Sequence, residues 1–500
     1  MSGPEGREAE VLVVGAGPVG LMLAVGLARL GVSVRIVERD LQPKREPRAG
    51  VVWPREAEAM AMLGLGPRLR AAGLPLLAAE IVVGGRERGT LRFGSLDSEF
   101  PHPLVIEQHH TATLLTERLS ELGVEVERGT ELTAFDAGER GVAATLTGPD
   151  GAVGTSRLGW LVGCDGARSG VRKALGIAFK GRPVPGLEVV QVNARPRNLR
   201  TFTPGVGAFF VAPHHALGSF EVPGGRRRFY CFKTIEDLAR TSAPSVAEMR
   251  DMIAGIAGAP NLELDDVDWL NRARFQERIA ARFRVGRALL AGDAAHVWAA
   301  VGGHGMNVGL LGAFNLAWKL AAVIRGEAPE ALIDTYETEQ RAHVRTVIGH
   351  TRLDLLERPL PAWGVAALSA VLPVALSIGA VQRGVERALS DTGLHHRSSP
   401  LSRRSGRGAQ GERVGAAPLD GRPGHEAIGF DRWTLLAPDH GPLEALARAA
   451  ASVRARVAVL KTSGQGGLRL IRPDGYTAFT GGAADVRGLS SYLDAHFVRA

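Results

Sequence analysis

Apolar residues open the chain as an unbroken run, "EVLVV" at 10–14, then recur at helical spacing through "PVGLMLAVGLARL" at 18–30. Gly31 stops that helix, and a second strand-like run, "SVRIVE", follows at 33–38. Strand, helix and strand in immediate succession predict a βαβ unit at the head of a parallel sheet. The helical period returns in "HTATLLTERLSEL" (110–122), ahead of another strand in "GVEVERG" (123–129), and hairpin-like alternation runs through 131–166. From about 180 to 275 the pattern becomes one of alternating apolar and polar positions, as in "LEVVQVNAR", "GAFFVAP", "LGSFEV" and "RRFYCF". That predicts an antiparallel sheet, a second lobe inserted in the first. "RALLAGDAAH" (287–296) then returns the chain to the first lobe.

The stretch from Pro359 to Gln382 carries no charge and is long enough to span a bilayer. Pro361, Gly364, Pro373 and Gly379 interrupt it, so it reads as buried or substrate-lining helices in preference to a membrane contact. Residues 391–418 are rich in glycine, serine and arginine and read as a linker or long loop. From about 415 a strand "RWTLLAP", a helix "PLEALARAAASVRA", two further strand segments and a terminal helix predict a small α/β appendage.

Composition narrows the class. Five hundred residues exceed a single core, so two or three domains are expected, and 45% apolar with 22% charged residues describes an ordinary globular protein. The net charge of +8 is an excess of arginine scattered along the chain, clustered only in "PLSRRSGRG" (400–408), and it does not read as the basic stripe that tracks nucleic acid. Two cysteines, Cys164 and Cys231, leave no disulfide framework or cysteine metal cluster, and no His/Cys/Asp spacing resembles a metal site. The opening "MSGPEGREAE" has no signal-peptide pattern, which fits a cytoplasmic protein.

Chemistry enters at two glycine turns. Gly15, Gly17 and Gly20 follow the first strand, Pro18 begins the helix, and Glu38 and Arg39 stand where the second strand ends. Gly15 permits the turn, Gly17 lets backbone approach a pyrophosphate, and Gly20 allows close helix–strand packing. The helix N-terminus favours phosphate, and Glu38 suits ribose hydroxyls. The ligand is an adenine dinucleotide, FAD or NAD. Far downstream, "AGDAAHVWAAVGGHGMNVG" (291–309) sets Asp293 after a strand and a second glycine cluster before a long apolar helix. Asp293 is placed to bond ribityl hydroxyls, and a helix starting near Gly305 to point its N-terminus at a flavin edge. NAD alone needs no such second site.

With "LVGCDGARSGVRKALG" (161–176) between them, these motifs resemble, in order and spacing, the class A flavoprotein aromatic hydroxylases. The likeness is greatest to the actinomycete-type polyketide and phenolic hydroxylases, and it covers residues 10–355. It implies a p-hydroxybenzoate hydroxylase-like α/β fold. A Rossmann-type FAD-binding domain (8–178 and 279–390, the second part with a helical segment) would carry an inserted antiparallel-sheet substrate domain (179–278). A linker (391–414) and a thioredoxin-like unit (415–500) without redox cysteines would follow. By resemblance Arg48 lies near flavin and phosphates, Gln108 contacts the cofactor, Asp165 supports FAD and nicotinamide cofactor, and Gly303, Gly305, Met306 and Asn307 form the flavin edge. The implied activity is FAD-dependent hydroxylation of a polycyclic phenolic or polyketide ring. NADPH or NADH is the reductant, O2 the oxygen source, and a flavin C4a-hydroperoxide the oxygen donor, in a chain that can pair as a homodimer. No catalytic base is evident, and Arg48 and His304 are the candidates.

The second turn departs from the family pattern, with Ala300 in place of a proline and His304 in place of a glutamine. Loss of the proline is expected to loosen the turn, and a protonated His304 would stabilise a reduced flavin. His296, in "GDAAH", reads as structural. Phe209, Phe210, Phe220 and Trp298 are candidates for ring contacts. Baeyer–Villiger or epoxidation chemistry on the same substrates, an FAD reductase, and a flavin-fold scaffold without catalysis are the alternatives.

Overall fold

In the computed structural model, which describes residues 8–235, 242–299, 301–404, 410–416, 419, 424–463 and 466–500, the strand Ala9–Val14 lies between two parallel partners, Val34–Glu38 and Val153–Gly163. Ala288–Leu290 extends the sheet beyond Val153–Gly163, and Val126–Arg128 extends it beyond Val34–Glu38, both in parallel. The central strands Ala9–Val14 and Ala288–Leu290 and the second half of Val153–Gly163 are apolar runs because they lie inside the core; Val11, Leu12, Val13, Leu161, Val162, Leu289 and Leu290 are fully buried. The predicted βαβ unit is present, with Pro18–Arg29 as its helix. A hairpin, Glu131–Ala137 with Val142–Thr147, branches from Val153–Gly163.

The helix His304–Ile324 packs on Pro18–Arg29. A methyl group at Gly26 would meet Ala317 Cβ at 2.7 Å, so glycine sets how closely the two helices approach. Each helix follows one glycine turn, and their contact fixes the distance between the turns.

A second sheet has eight strands, in the order His296–Val297, Glu263–Ala280, Phe179–Arg197, Arg226–Thr234, His215–Val222, Val206–Ala212, Ala78–Val83, Arg86–Arg92. It is larger than the lobe expected from 180–275. Ala78–Val83 joins through parallel pairing with Val206–Ala212, and His296–Val297 closes the opposite edge. The uncharged stretch forms two helices, Ala362–Ser377 and Gly379–Leu389, bent by 102° to one another. The first of them is not buried as a whole: Trp363 is 77% exposed on one face, while Leu368, Leu372 and Leu376 line a cavity on the other.

The C-terminal strands Trp433–Pro438, Val457–Thr462, Leu468–Ile471 and Thr477–Gly481 stand in the order fourth, third, first, second, with the third antiparallel to its neighbours. Helices Leu443–Ala451 and Val486–His496 complete the thioredoxin-like arrangement expected for this unit. It shares the main apolar core. Phe314 stacks on Phe430 at 4.5 Å, and Trp318 meets Trp433 edge-on at 5.5 Å.

Candidate active site

Neighbouring parallel strands carry the predicted site residues to one edge of the first sheet. Gly15 follows Ala9–Val14, Glu38 ends Val34–Glu38, Asp165 follows Val153–Gly163, and Asp293 follows Ala288–Leu290. Crevices at the carboxyl ends of parallel strands are where open α/β sheets bind ligands. Here the crevice opens into a cavity of about 2010 Å³. Single-ligand sites are typically roughly 300–1,000 Å³, so there is room for a cofactor and a substrate together. Its lining includes Gly15, Gly17, Pro18, Glu38, Arg39, Arg48, Gln108, Asp165, Asp293, Gly303, His304, Gly305 and Met306. Gly20 and Asn307 stand behind it.

At the first turn, Gly20 has the packing role expected from sequence: a Cβ there would sit 2.0 Å from Gly15 O. Gly17 faces open space, and the helix it precedes has no side-chain cap, so its first N–H groups are free to meet an anion. Glu38 Oε2 accepts from Ala16 N at 2.9 Å, which ties the second strand to the turn. Asp165 Oδ2 caps the helix Gly170–Ala174 by accepting from Gly170 N at 2.7 Å and Val171 N at 3.1 Å. Its Oδ1 is buried without a partner. Asp293 opens into the cavity yet lies deep among protein atoms; this desolvation pushes its pKa up to about 6, against the opposing pull of Arg48.

Arg48 and Gln108 are held by groups that the sequence did not single out. Arg228, on the second sheet, donates to Arg48 O at 2.9 Å and to Asn193 Oδ1 at 2.9 Å, and pairs with Glu107 at 3.1 Å. Burial lowers the Arg228 pKa to about 10. The clamp fixes the 47–50 backbone from which the Arg48 side chain extends, itself paired with Glu46 at 2.6 Å. Gln108 begins the helix Gln108–Glu121, and its N–H donates to Ala49 O at 2.8 Å.

The second turn is Gly302 (φ 74°) and Gly303 (φ 66°), both in the left-handed region, followed by His304–Ile324, again without a side-chain cap. Ala300 lies outside the described residues. In place of a proline, side chains tie this turn from three sides. Gly302 N donates to Glu357 Oε2 at 2.6 Å, Trp53 Nε1 donates to Gly302 O at 3.0 Å, and Asn307 Nδ2 donates to Gly303 O at 2.9 Å. Asn307 also bridges to Val51 O and Trp53 N. His304 stacks on Trp53, with ring centroids 5.6 Å apart, and its Nδ1 meets Asp391 Oδ2 at 3.0 Å. Burial opposes a charge on His304, but the charge and hydrogen bond of Asp391 outweigh it and raise the pKa. Glu56, fully buried behind Asp391, is held well above the carboxylate range by burial and by the Asp391 charge. His296 is buried, its Nε2 against Gln340 at 3.1 Å, and burial lowers its pKa to about 4.

The far end of the cavity is one face of the second sheet. Ile81, Phe209, Gly218, Tyr230, Gln191 and Asn271 form a cross-strand row, and all but Gly218 line the cavity. A Cβ at Gly218 would lie 2.1 Å from the Tyr230 ring, so that glycine makes room for the ring. Phe220 and Trp298 line the cavity as well. Phe210 does not: strand alternation turns it to the opposite face, where it packs with Leu217, Phe229 and Met249. Trp53, Arg228, Tyr230 and Glu357 are the site residues that sequence reasoning missed. The signal available for Tyr230 and Arg228 was their shared parity with Phe232 in "RRFYCF".

The cradle fits FAD. Two helix N-termini stand open, the glycines at both turns leave space, and the buried Oδ1 of Asp165 awaits a donor. The FAD binding domain family matches residues 8–351. The 6-methylpretetramide 4-monooxygenase of Streptomyces rimosus is 34% identical over 98% of this chain and 94% of its own. The rifampicin monooxygenase of Streptomyces venezuelae is 36% identical over 69% of this chain and 71% of its own. Among solved structures, the anhydrotetracycline hydroxylase OxyS of Streptomyces rimosus superposes with a TM-score of 0.79 at 31% identity, over 98% and 99% of the two chains. The aklavinone-11 hydroxylase, in complex with FAD and aklavinone, does so with 0.79 at 26% identity, over 97% and 98%. This chain belongs to the FAD-dependent aromatic hydroxylases built on that FAD binding domain.

Proposed function

We propose that the chain hydroxylates a polycyclic phenolic or polyketide ring, using FAD as cofactor, NADPH or NADH as reductant and O2 as oxygen source. One observation carries the reading: a single cavity runs from the dinucleotide turn past Asp293 and the second glycine turn to an aromatic sheet face. In this reading Gly15, Gly17, Pro18 and Glu38, with Arg39 beside them, hold the adenosine and pyrophosphate. Asp165 and Asp293 accept hydrogen bonds from the ribityl chain and its neighbours. Arg48 and Gln108 flank the middle, and Gly303, Gly305 and Met306 meet the flavin ring, with Asn307 holding that turn from behind. Bound FAD supplies oxygen activation and transfer.

The chain's own task is placement. The open N-terminus of His304–Ile324 favours negative charge at the flavin edge. Trp298, Phe209 and Phe220 offer an apolar face to a flat ring, and Leu368, Leu372 and Leu376 cover it from outside and exclude water. The named activities of the relatives, on tetracycline-type, rifampicin and chlorophenol substrates, favour the same substrate class. A cytoplasmic setting, where reduced nicotinamide cofactor is available, belongs to this reading.

The test is purification of the full chain, a visible spectrum, and NAD(P)H oxidation with a panel of polycyclic phenols under labelled O2. A flavin band, substrate-stimulated oxidation and label in a new ring hydroxyl are expected. A colourless protein that takes up no added FAD rejects the proposal, and label in a lactone or epoxide replaces hydroxylation with the alternative chemistries.

A further inference from the structure

Tyr230 and Glu357 link the substrate-side sheet to the second glycine turn by direct hydrogen bonds. Tyr230 Oη donates to Glu357 Oε1 at 2.7 Å, and Gly302 N donates to Glu357 Oε2 at 2.6 Å. Both side chains line the cavity. Phe209, Phe220 and Leu368 lie beside them in the lining, so the hydroxyl is a polar group among apolar neighbours, with Gln191 next to it in the cross-strand row.

Two features indicate that the pair serves more than packing. Gly218 leaves the space that the Tyr230 ring fills, so the ring is aimed by the sheet. Glu357 is buried, yet its two oxygens take donors from two different parts of the site. A tyrosine hydroxyl has one proton and two lone pairs, so the direction of its bond to Glu357 decides what it offers to a ligand. With Glu357 ionised, Tyr230 spends its proton on the carboxylate and presents lone pairs to the cavity. With Glu357 protonated, the acid donates to Tyr230, whose own proton then points into the cavity. Gly302 N is satisfied in both states.

We propose that Tyr230, positioned by Glu357, is the contact for a ring oxygen of the substrate, and that the proton on Glu357 sets whether it receives a phenolic hydroxyl or donates to a ring ketone. This rests on the polycyclic substrate class proposed above. The proton exchanges with solvent, and no other bond changes.

Burial, followed by the nearby Asp354 charge, pushes the Glu357 pKa up to about 7 against its bonds from Gly302 and Tyr230 and the charge of His304. The groups facing the pair are Asp354 on the same loop, His304 on the second turn, and Tyr230 and Arg228 on the sheet; Arg358 acts on Asp354. The switch therefore falls within the range where such an enzyme works.

The test uses the FAD-loaded full chain and two flat probes, anthraquinone, which only accepts hydrogen bonds, and hydroxyanthracene, which can donate one. Binding is read from perturbation of the flavin band on either side of neutrality. On raising the pH, wild-type protein is expected to lose anthraquinone affinity by about tenfold and to gain hydroxyanthracene affinity by about as much, the size of one hydrogen bond. Glu357→Gln keeps the bond from Gly302 N and donates permanently to Tyr230, so it should favour anthraquinone at every pH. Tyr230→Phe should bind both probes weakly and without pH dependence. Probes that follow the same pH trend in wild type, or a Glu357→Gln protein that follows wild type, overturn the assignment alone. Wild-type protein that holds FAD but binds neither probe overturns the substrate class, and the assignment with it.

Discussion

Asp293 shows how one residue's ionisation enters cofactor affinity. Its pKa is raised by burial to about 6, above the ordinary carboxylate value, so the free protein prefers it protonated at low pH. Sugar hydroxyls donate to a carboxylate, and FAD binding therefore favours the ionised form. The sign follows: above pH 6 affinity is at its plateau, and below it affinity falls by at most about tenfold per pH unit because binding must expel a proton. Flavin-fluorescence titrations of wild type and Asp293→Asn across this range check it, and a flat wild-type curve would refute the role. Asp293→Ala removes the acceptor altogether and should weaken FAD by about ten- to a hundredfold. Gly20 makes a steric prediction: the alanine methyl would stand 2.0 Å from Gly15 O. Gly20→Ala must then displace the turn, with loss of FAD retention on a size-exclusion column even where the chain stays folded.

At the level of elements, what could be read from sequence follows how local each signal is. The strand–turn–helix units at 9–38 and 288–324 were legible because their periodicity, glycines and terminal acids lie within one short window. The hairpin Ala78–Val83 with Arg86–Arg92 was not. It joins the second sheet through pairing with Val206–Ala212, a partnership that no local window contains. Glu357 was equally hidden, since in "LDLLERPL" it reads as a solvated charge, and its meaning comes from Tyr230 and Gly302, distant in sequence. The hairpin also steadies the cavity cover. A Cβ at Gly89 would lie 2.9 Å from Leu376 Cδ1, and its φ of 142° is one that favours glycine. Gly89→Val should push the end of Ala362–Ser377 away from the hairpin. Probe affinity would drop several-fold while FAD affinity stays unchanged, because the first sheet is untouched. Equal loss of both would show that this helix does not act on the substrate end alone.

Across the whole molecule, the C-terminal unit is fastened to the cofactor domain by a buried charge cluster. Arg472 donates to Glu339 at 2.7 and 2.9 Å and to Asp474 at 2.9 Å, and Lys319 donates to Glu339 at 2.7 Å. Asp474 also accepts from Asn315 and from Trp318 Nε1, both on the helix that begins at the second glycine turn. Burial works against the Glu339 charge, but Arg472, His396 and Lys319 hold its carboxyl well below the usual range. Its stabilising contribution is present above the pKa of the unfolded chain and is lost as pH falls towards the folded value. Removing the guanidinium leaves two acids buried with too few donors, a change that costs about 3–5 kcal/mol when one partner of a buried pair is lost. Arg472→Met is therefore expected to lower the melting temperature sharply and to expose the segment after 391 to protease. Since none of these groups lines the cavity, the folded fraction should keep its FAD affinity. Adding Glu339→Gln to Arg472→Met removes one stranded charge and should recover part of the loss. A melting temperature unmoved by Arg472→Met would mean that the shared apolar core, with Phe314 on Phe430 and Trp318 on Trp433, holds the unit without the cluster.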